Sequence, residues 1–485
     1  MPKQPLTDRG ERRRAQSRAE RLGLLLAVLG GVALRLPLID ACGIMPADGL
    51  RLAVWSITVQ DKALPLYPLL LQAMRPLCGN AQLAGGLVAA LLGAWAVVPL
   101  YLLLSERVSR VAGWIGVLIA SSSLHCIALS AGVVPNPALI VPLLYAWLFW
   151  GRLDPDDRAN LIKFNLACGL AALARPEGWA LIAPCAWANY RYIRQRGFSR
   201  WLGPGLAAAL PYLALVGWMA LLGHSGYAGE FFGYSLSRLS VGGVLHGLTG
   251  YLAALVGHGF AWWCLVALCG CVAALCGKGF ARSLAFEALA IVAVLLAALS
   301  IQWAPDLHRL LTPAVFAVYV SAAAALGALL RGLRARRTLQ SAVAVTIGLL
   351  VLLSAALSYG ILSDARQDLR GVFDDRLRSW QVAAAATQGR LHSDLPLEAS
   401  YYSGREFDRY SIETALPGDT LALHSTEGCL EQRIDELRER FELRVLRRLT
   451  APRAFKYGPA NVSCFNGSDP GELHVSIVIA LDQVR

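Results

Sequence analysis

The feature that most constrains this chain is a series of apolar runs separated by short polar segments. A run of roughly 20 apolar residues is long enough to cross a bilayer as a helix. Hydrophobic residues make up 56% of the 485 residues and charged residues only 16%, whereas soluble domains carry roughly 25% charged residues. The pattern therefore predicts an α-helical polytopic membrane protein and excludes a cytosolic enzyme, a disordered scaffold and a nucleic-acid binder.

The apolar runs predict about eleven transmembrane helices. A basic segment, residues 1–21, precedes the first run, and no small-residue cleavage site follows that run, so we interpret it as a signal anchor and not a cleaved signal peptide. The predicted spans are 22–39, 81–104, 111–130, 136–150, 160–174, 177–190, 203–223, 258–277, 283–303, 308–330 and 339–361.

The composition changes at residue 363. Residues 1–362 hold 29 Lys and Arg against 14 Asp and Glu, whereas residues 363–485 hold 16 against 19 and have an ordinary soluble composition. We therefore predict a membrane body over 22–362, with long outer loops at 40–80 and 224–257, and a C-terminal soluble α/β domain over 363–485. Strands at 420–425, 442–449 and 474–481 and a helix at about 430–441 are predicted within that domain.

The distribution of basic residues predicts the orientation. With a cytoplasmic N-terminus, 22 Lys and Arg of the membrane body lie in or nearest to the inside segments and 7 in or nearest to the outside segments, as the positive-inside rule requires. An odd number of spans then places the C-terminal domain on the outer face. We expect a multi-pass protein of the inner or plasma membrane, with this domain in the periplasm or its equivalent.

Cysteine placement agrees with that orientation. Seven of the eleven cysteines fall within predicted spans, and the group between Cys264 and Cys276 sits in an apolar run without CxxC spacing, which favours packing over a metal site. The other four are external, and two pairs in an oxidising compartment suggest two disulfides. These four are Cys42, Cys78, Cys429 and Cys464.

Ionisable residues gather at the predicted outer face. Acids and arginines lie near the outer ends of the spans, and all eight histidines fall on that side or in the C-terminal domain. Because spans normally exclude such residues, a group of them at one membrane face indicates a polar site. The alternative is that they are solvated residues at helix ends.

Four sequence stretches occur in an order that resembles a known family. Arg35 in RLPLID is followed by PADGLRLA, and then come LPLYPLLLQAM (64–74), LARPEGWALIAP (173–184) and DLHRLLTPAVFAVYV (306–320). Together they resemble the GT-C class of membrane glycosyltransferases, in the branch of the protein O-mannosyltransferases and lipid A aminoarabinose transferases. The resemblance covers most of residues 22–330. It implies that the donor is a sugar linked to a polyprenyl phosphate.

The chain departs from that family at two positions. Gly49 follows Asp48 where the family commonly carries Asp-Glu, and Asn136 stands where many relatives carry an acid. Hard divalent cations prefer several carboxylate oxygens, so the weaker acidic set argues against a metal, and no cofactor is expected besides the lipid-linked donor. The same departures leave open a catalytically degenerate GT-C-like partner subunit.

The resemblance assigns roles to five residues. Asp48 would be the general base, and Arg35, Arg175, His308 and Arg309 would hold the donor phosphate. Two structural alternatives stay open: Asp48 as the N-cap of a surface helix, and Arg175 paired with Glu177 at a span boundary.

The expected function is therefore inverting glycosyl transfer at the outer face to a lipid, glycan or protein acceptor. A transporter or lipid flippase is the alternative class. Against it, the chain shows no matching pair of Gly- or Pro-interrupted spans in its two halves.

Overall fold

The computed structural model describes most of the chain. The described residues are 18–39, 65–130, 134–154, 156–221, 248–249, 252, 261–276, 280–301, 311–386, 389–394, 399–400, 403–411, 413–451 and 474–484.

Helices dominate the part that precedes the C-terminal sheet. They are α1 (Arg18–Ile39), α2 (Leu66–Cys78), α3 (Ala81–Trp95), α4 (Val97–Arg107), α5 (Arg110–Ser122), α6 (Leu124–Leu129), α7 (Asn136–Trp150), α8 (Arg158–Ala174), α9 (Ile182–Arg196), α10 (Phe198–Leu221), α11 (Ala261–Cys276), α12 (Phe280–Ile301), α13 (Thr312–Gly332) and α14 (Arg337–Ala386). Two 3₁₀ turns, Pro176–Leu181 and Leu333–Ala335, join α8 to α9 and α13 to α14.

Several of these helices have the length and composition of membrane spans. Within the described residues, four stretches are long and apolar enough to cross a bilayer: Ala19–Ile39, Ala81–Arg107, Thr312–Ala335 and Arg337–Gly360. Shorter apolar helices accompany them at Arg110–Ser122, Asn136–Trp150, Trp262–Ala274 and Ser283–Val294. The prediction of a mostly helical membrane fold is therefore confirmed, whereas the count of eleven spans stays a prediction.

The stretch 111–130, predicted as one span, forms two helices. The chain turns at Ser123, which has an extended backbone and accepts a hydrogen bond from the backbone N–H of Cys126 at 3.2 Å. Serine side chains compete with the helical backbone in this way and favour the N-cap position. The short α6 that follows the break brings polar side chains to one end of the bundle.

Helix α14 is much longer than the span predicted at 339–361. Its 50 residues run without interruption across the composition change at residue 363. The Ser358 hydroxyl donates to the carbonyl of Ser122 at 2.8 Å, whereas Trp380 is fully buried in the C-terminal domain. One helix therefore connects the bundle with the C-terminal domain.

Helix α13 is the centre of the apolar core. Fifteen of its 21 residues are buried, and it packs with α5, α11 and α12. Small residues allow this close approach: a Cβ on Gly327 would lie 2.8 Å from the Ala112 Cα of α5. Membrane helices associate through such small-residue contacts because lipid provides no hydrophobic driving force between them.

The C-terminal part contains a five-stranded mixed sheet in the order β2-β1-β3-β5-β4. The strands are β1 (Leu391–Ser393), β2 (Asp408–Arg409), β3 (Thr420–Thr426), β4 (Phe441–Ala451) and β5 (His474–Val484), with helix α15 (Glu427–Arg438) between β3 and β4. Strand β1 pairs in parallel with β2 and β3, and β5 pairs antiparallel with β3 and β4. The C-terminal part therefore contains a small α/β unit with a mixed sheet.

Candidate functional site

A chain of buried polar side chains joins four elements at one end of the bundle. His125 Nε2 lies 3.0 Å from Thr312 Oγ1, and Asn136 Nδ2 donates to the same hydroxyl at 3.0 Å. Arg175 Nη1 donates to Asn136 Oδ1 at 3.1 Å. All four residues are buried. The start of α6, the start of α7, the end of α8 and the start of α13 therefore meet here, at the end that the sequence predicts to face outward.

Arg175 is positioned by the turn that follows α8. Its backbone is extended, and its guanidinium donates to Glu177 through Nε at 3.1 Å and Nη2 at 2.9 Å. The turn folds back on α8 because Gly178 has no side chain, since a Cβ there would overlap the Ala171 carbonyl. The Arg-Pro-Glu-Gly segment thus holds an arginine and a carboxylate against each other in a fixed geometry.

A second buried arginine lies near the end of α1. Arg35 is 1% exposed, donates from Nη1 to the Gly31 carbonyl at 2.8 Å and from Nε to Ser130 Oγ. No carboxylate is among its contacts within the described residues. Ser130 follows α6 directly, and His125 lies in the first turn of α6, so one short helix contributes to both arginine clusters.

The charges of these clusters determine what they can bind. Arg35 and Arg175 are cationic and Glu177 is anionic, so the described clusters carry one excess positive charge. Burying an ionisable group among membrane helices costs free energy, so such a group is by default a candidate for a functional site. The planar guanidinium group can donate two parallel hydrogen bonds to phosphate oxygens, whereas an ammonium group acts as a point charge. The arrangement therefore suits an anionic group such as a phosphate.

The structure locates only some of the predicted site residues. Arg35 and Arg175 lie in the clusters above, Cys78 ends α2 and Cys429 lies in α15. The other predicted site residues and disulfide cysteines lie outside the described residues, so their roles and pairings stay predictions: Asp48, His308, Arg309, Cys42 and Cys464. Thr312, three residues after Arg309, does join the Arg175 cluster.

Sequence reasoning did not single out Thr312 and Ser130 as site residues, and grouped His125 only with the other histidines. The signal for His125 is an imidazole inside the apolar segment SSSLHCIALS, where an ionisable residue is unexpected. Thr312 and Ser130 carry no comparable signal, because hydroxyl side chains are common in membrane helices and their partners lie far away in the chain.

The aromatic stretch 401–410 of the C-terminal domain has a packing role where it is described. Phe407 is buried with Trp380 in one apolar cluster, and Tyr410 packs against another that includes Leu421. Both contacts lie within the C-terminal domain.

A metal site is not evident in the described part of the chain, where no three His, Cys, Asp or Glu residues are grouped as ligands. The segment with Asp48 lies outside that part, so metal independence stays a prediction.

Known proteins match this chain by structure but not by sequence. By sequence, no family model and no curated protein matches the chain. Its structure is similar to ArnT from Cupriavidus metallidurans bound to undecaprenyl phosphate, with a TM-score of 0.59, 14% identity, and coverage of 93% of this chain and 97% of that chain. The apo state of that ArnT gives a TM-score of 0.58 and 14% identity, with 94% and 98% covered. This chain has the fold of the GT-C glycosyltransferases.

A more distant GT-C protein supports the same conclusion. The archaeal oligosaccharyltransferase AglB from Archaeoglobus fulgidus, in complex with an inhibitory peptide and a dolichol-phosphate, has a TM-score of 0.54 and 13% identity, with 88% of this chain and 70% of that chain covered. The GT-C resemblance inferred from the four sequence motifs is therefore confirmed at the level of the fold.

Proposed function

We propose that this protein is an inverting glycosyltransferase that moves a sugar from a polyprenyl-phosphate-linked donor to an acceptor at the outer face of the membrane. The observation that carries the proposal is the agreement in fold with ArnT along nearly the whole of both chains. That ArnT is bound to undecaprenyl phosphate, and the similar AglB to a dolichol-phosphate. The acceptor class is a lipid, a glycan or a protein.

The reaction requires one base and a stabilised leaving group. The acceptor oxygen or nitrogen attacks the anomeric carbon while the bond from that carbon to the phosphate oxygen breaks, which inverts the configuration. The acceptor proton passes to a carboxylate, which we assign to Asp48 from the PADGLRLA motif. The lipid phosphate leaves with the bonding electrons and gains negative charge.

The buried arginines can stabilise the leaving phosphate. Fixed cationic donors stabilise charge that develops on a leaving phosphate because they need no reorganisation during the reaction. Glu177 and Asn136 fix the guanidinium plane of Arg175. Arg35 adds a positive charge without a carboxylate among its described contacts. We assign phosphate binding to both arginines, with His308 and Arg309 from the late-span motif.

The proposal is tested with radiolabelled polyprenyl-phosphate sugars in membranes that contain wild-type protein or Asp48→Asn. Wild type should transfer sugar from one donor of the panel, and a variant of equal abundance and monodispersity should lose ~100-fold or more, the worth of a general base. Transfer that persists in Asp48→Asn moves the base to another residue. Wild type that consumes no donor from the panel contradicts the proposed activity and favours a transporter or an inactive partner subunit.

A further inference from the structure

A polar cavity lies at the opposite end of the bundle from the arginine clusters. Its volume is about 260 Å³, and it is lined by the end of α4, the end of α7, the start of α8, the middle and end of α9 and the start of α12. Helix α7 runs from Asn136 at the candidate active site to Trp150 at this cavity. Its 15 residues span about 22 Å. The cavity is therefore separate from the proposed site of sugar transfer.

A neutral ion pair lines the cavity. Arg107 Nη1 donates to both carboxylate oxygens of Glu287, at 3.0 and 2.8 Å. Trp147 Nε1 and Ser283 Oγ donate to the same carboxylate at 2.6 and 3.1 Å. Gly151 makes room for the Arg107 side chain, since a Cβ there would overlap the guanidinium. The two opposite charges neutralise each other, so the pair adds no net charge to the cavity.

Two further charged residues of opposite sign line the same cavity. Arg191 of α9 and Asp154, just after α7, are both exposed. Among the contacts of the described residues, neither takes part in an ion pair. A ligand that fits both must carry a negative and a positive group, because a purely anionic ligand would be repelled by Asp154.

The surroundings of these two residues indicate an amphiphile. Trp150, Trp187 and Tyr192 line the cavity, and Trp187 is 54% exposed. The Trp187 ring lies 5.9 Å from that of Tyr190, which is also exposed. Exposed Trp and Tyr rings are enriched at the level of lipid headgroups. An occupant of this cavity would therefore have its polar part beside an apolar, lipid-facing surface.

We propose that this cavity binds the headgroup of a zwitterionic aminophospholipid, phosphatidylethanolamine, from the leaflet opposite the proposed active site. Arg191 takes the phosphate, and Asp154 takes the ammonium group. The acyl chains lie along the exposed apolar residues of α9 and α10, which include Phe198 and Leu202. This assignment does not depend on the proposed glycosyltransferase activity.

The test is native mass spectrometry of the full-length protein with phosphatidylethanolamine, phosphatidylglycerol and phosphatidylcholine of identical acyl chains. Wild type should retain one phosphatidylethanolamine in preference to the other two lipids. The double variant Arg191→Gln/Asp154→Asn should bind it roughly tenfold more weakly, as expected for the loss of charge-assisted hydrogen bonds. The matched control is Arg194→Gln/Asp156→Asn, which removes the same two charges from neighbouring positions that do not line the cavity.

Each result has a defined meaning. Selective binding that only the cavity variant loses supports the proposal, provided that both double variants stay monodisperse and melt as wild type does. Equal retention of the three lipids, or equal losses in both double variants, overturns it. Free phosphoethanolamine is added in a separate titration. If it raises the melting temperature as much as the lipid does, the occupant is a soluble zwitterion and the lipid assignment is wrong.

Discussion

At the scale of single residues, a substitution at Arg175 tests whether sugar transfer depends on the geometry of its side chain or only on its charge. Arg175→Lys keeps the positive charge but loses the planar fork that two carboxylate contacts and Asn136 hold in place. Sugar transfer should fall roughly 100-fold, as when one preorganised donor is removed.

The chain offers a matched control for that substitution. Arg152 also pairs with a glutamate, donating from Nε to Glu106 at 2.8 Å, but it follows the opposite end of α7. Arg152→Lys should keep transfer near the wild-type rate. Equal losses in the two variants would show that Arg175 acts only by stabilising the fold.

Asp394 of the C-terminal domain gives a prediction about pH. Burial raises the pKa of this carboxyl to about 6, against the opposing effects of the His424 backbone N–H and of Arg376 and Arg433. An ordinary aspartate titrates near 3.9 in the unfolded chain. Between these values the folded state holds a proton that the unfolded state has lost, so the unfolding free energy falls as pH rises through the window, by at most about 3 kcal/mol.

Asp394→Asn should flatten that dependence, since an amide does not ionise and still accepts from the His424 N–H. The measurement is hydrogen exchange of the β3 and β5 amides at pH 5 and 8, corrected for intrinsic rates. Asp408→Asn, at an exposed position on β2, controls for the loss of a carboxyl. The raised pKa is refuted if wild type and Asp394→Asn show the same change between the two pH values.

The site shows which residue contacts a sequence can predict. Arg175 and Glu177 are two positions apart, so their pairing is visible as a local alternative in the Arg-Pro-Glu-Gly segment. Thr312 shares a hydrogen bond with His125 and accepts one from Asn136, and these bonds join residues 187 and 176 positions apart. Which hydroxyl meets which imidazole depends on helix packing, and no spacing rule encodes that.

At the scale of helices, Gly327 tests the packing of α13 against α5. A Cβ at this position would lie 3.0 Å from the Ala112 backbone nitrogen. Gly327→Leu should force the two helices apart and destabilise the fold by about 1–3 kcal/mol, the usual cost of overpacking. Gly332→Leu, on the same helix with open space around the position, is the control. The packing is refuted if the two variants melt at the same temperature in a detergent thermal-shift assay.

Hydropathy locates helices well where they are apolar and fails at their polar continuations. The predicted span 136–150 coincides with α7, because both its ends are marked by Pro or Gly residues. The span predicted at 339–361 ends 25 residues before α14 does, since the helix continues after its sequence becomes polar. The helical backbone persists there while the hydropathy signal disappears.

At the scale of the whole molecule, α14 predicts which side of the membrane the C-terminal domain occupies. The junction between α13 and α14 carries Arg331, Arg334, Arg336 and Arg337, and an arginine cluster of this kind favours the cytoplasmic side. The stretch Arg337–Gly360 is long and apolar enough to cross the bilayer once. We therefore expect the domain that follows to lie on the outer side, where the starts of α7 and α13 are also predicted to place the buried arginine cluster.

Impermeant labelling of intact cells tests this orientation. Glu413→Cys, exposed in the C-terminal domain, should react with a membrane-impermeant maleimide before lysis, whereas Arg336→Cys, exposed at the arginine-rich turn, should react only after lysis. Labelling of the wild-type protein gives the background reaction of the native cysteines. The reverse pattern would place the C-terminal domain in the cytoplasm. It would also place the Arg175 cluster on the cytoplasmic side, and the proposed reaction would then have to use a donor in the inner leaflet.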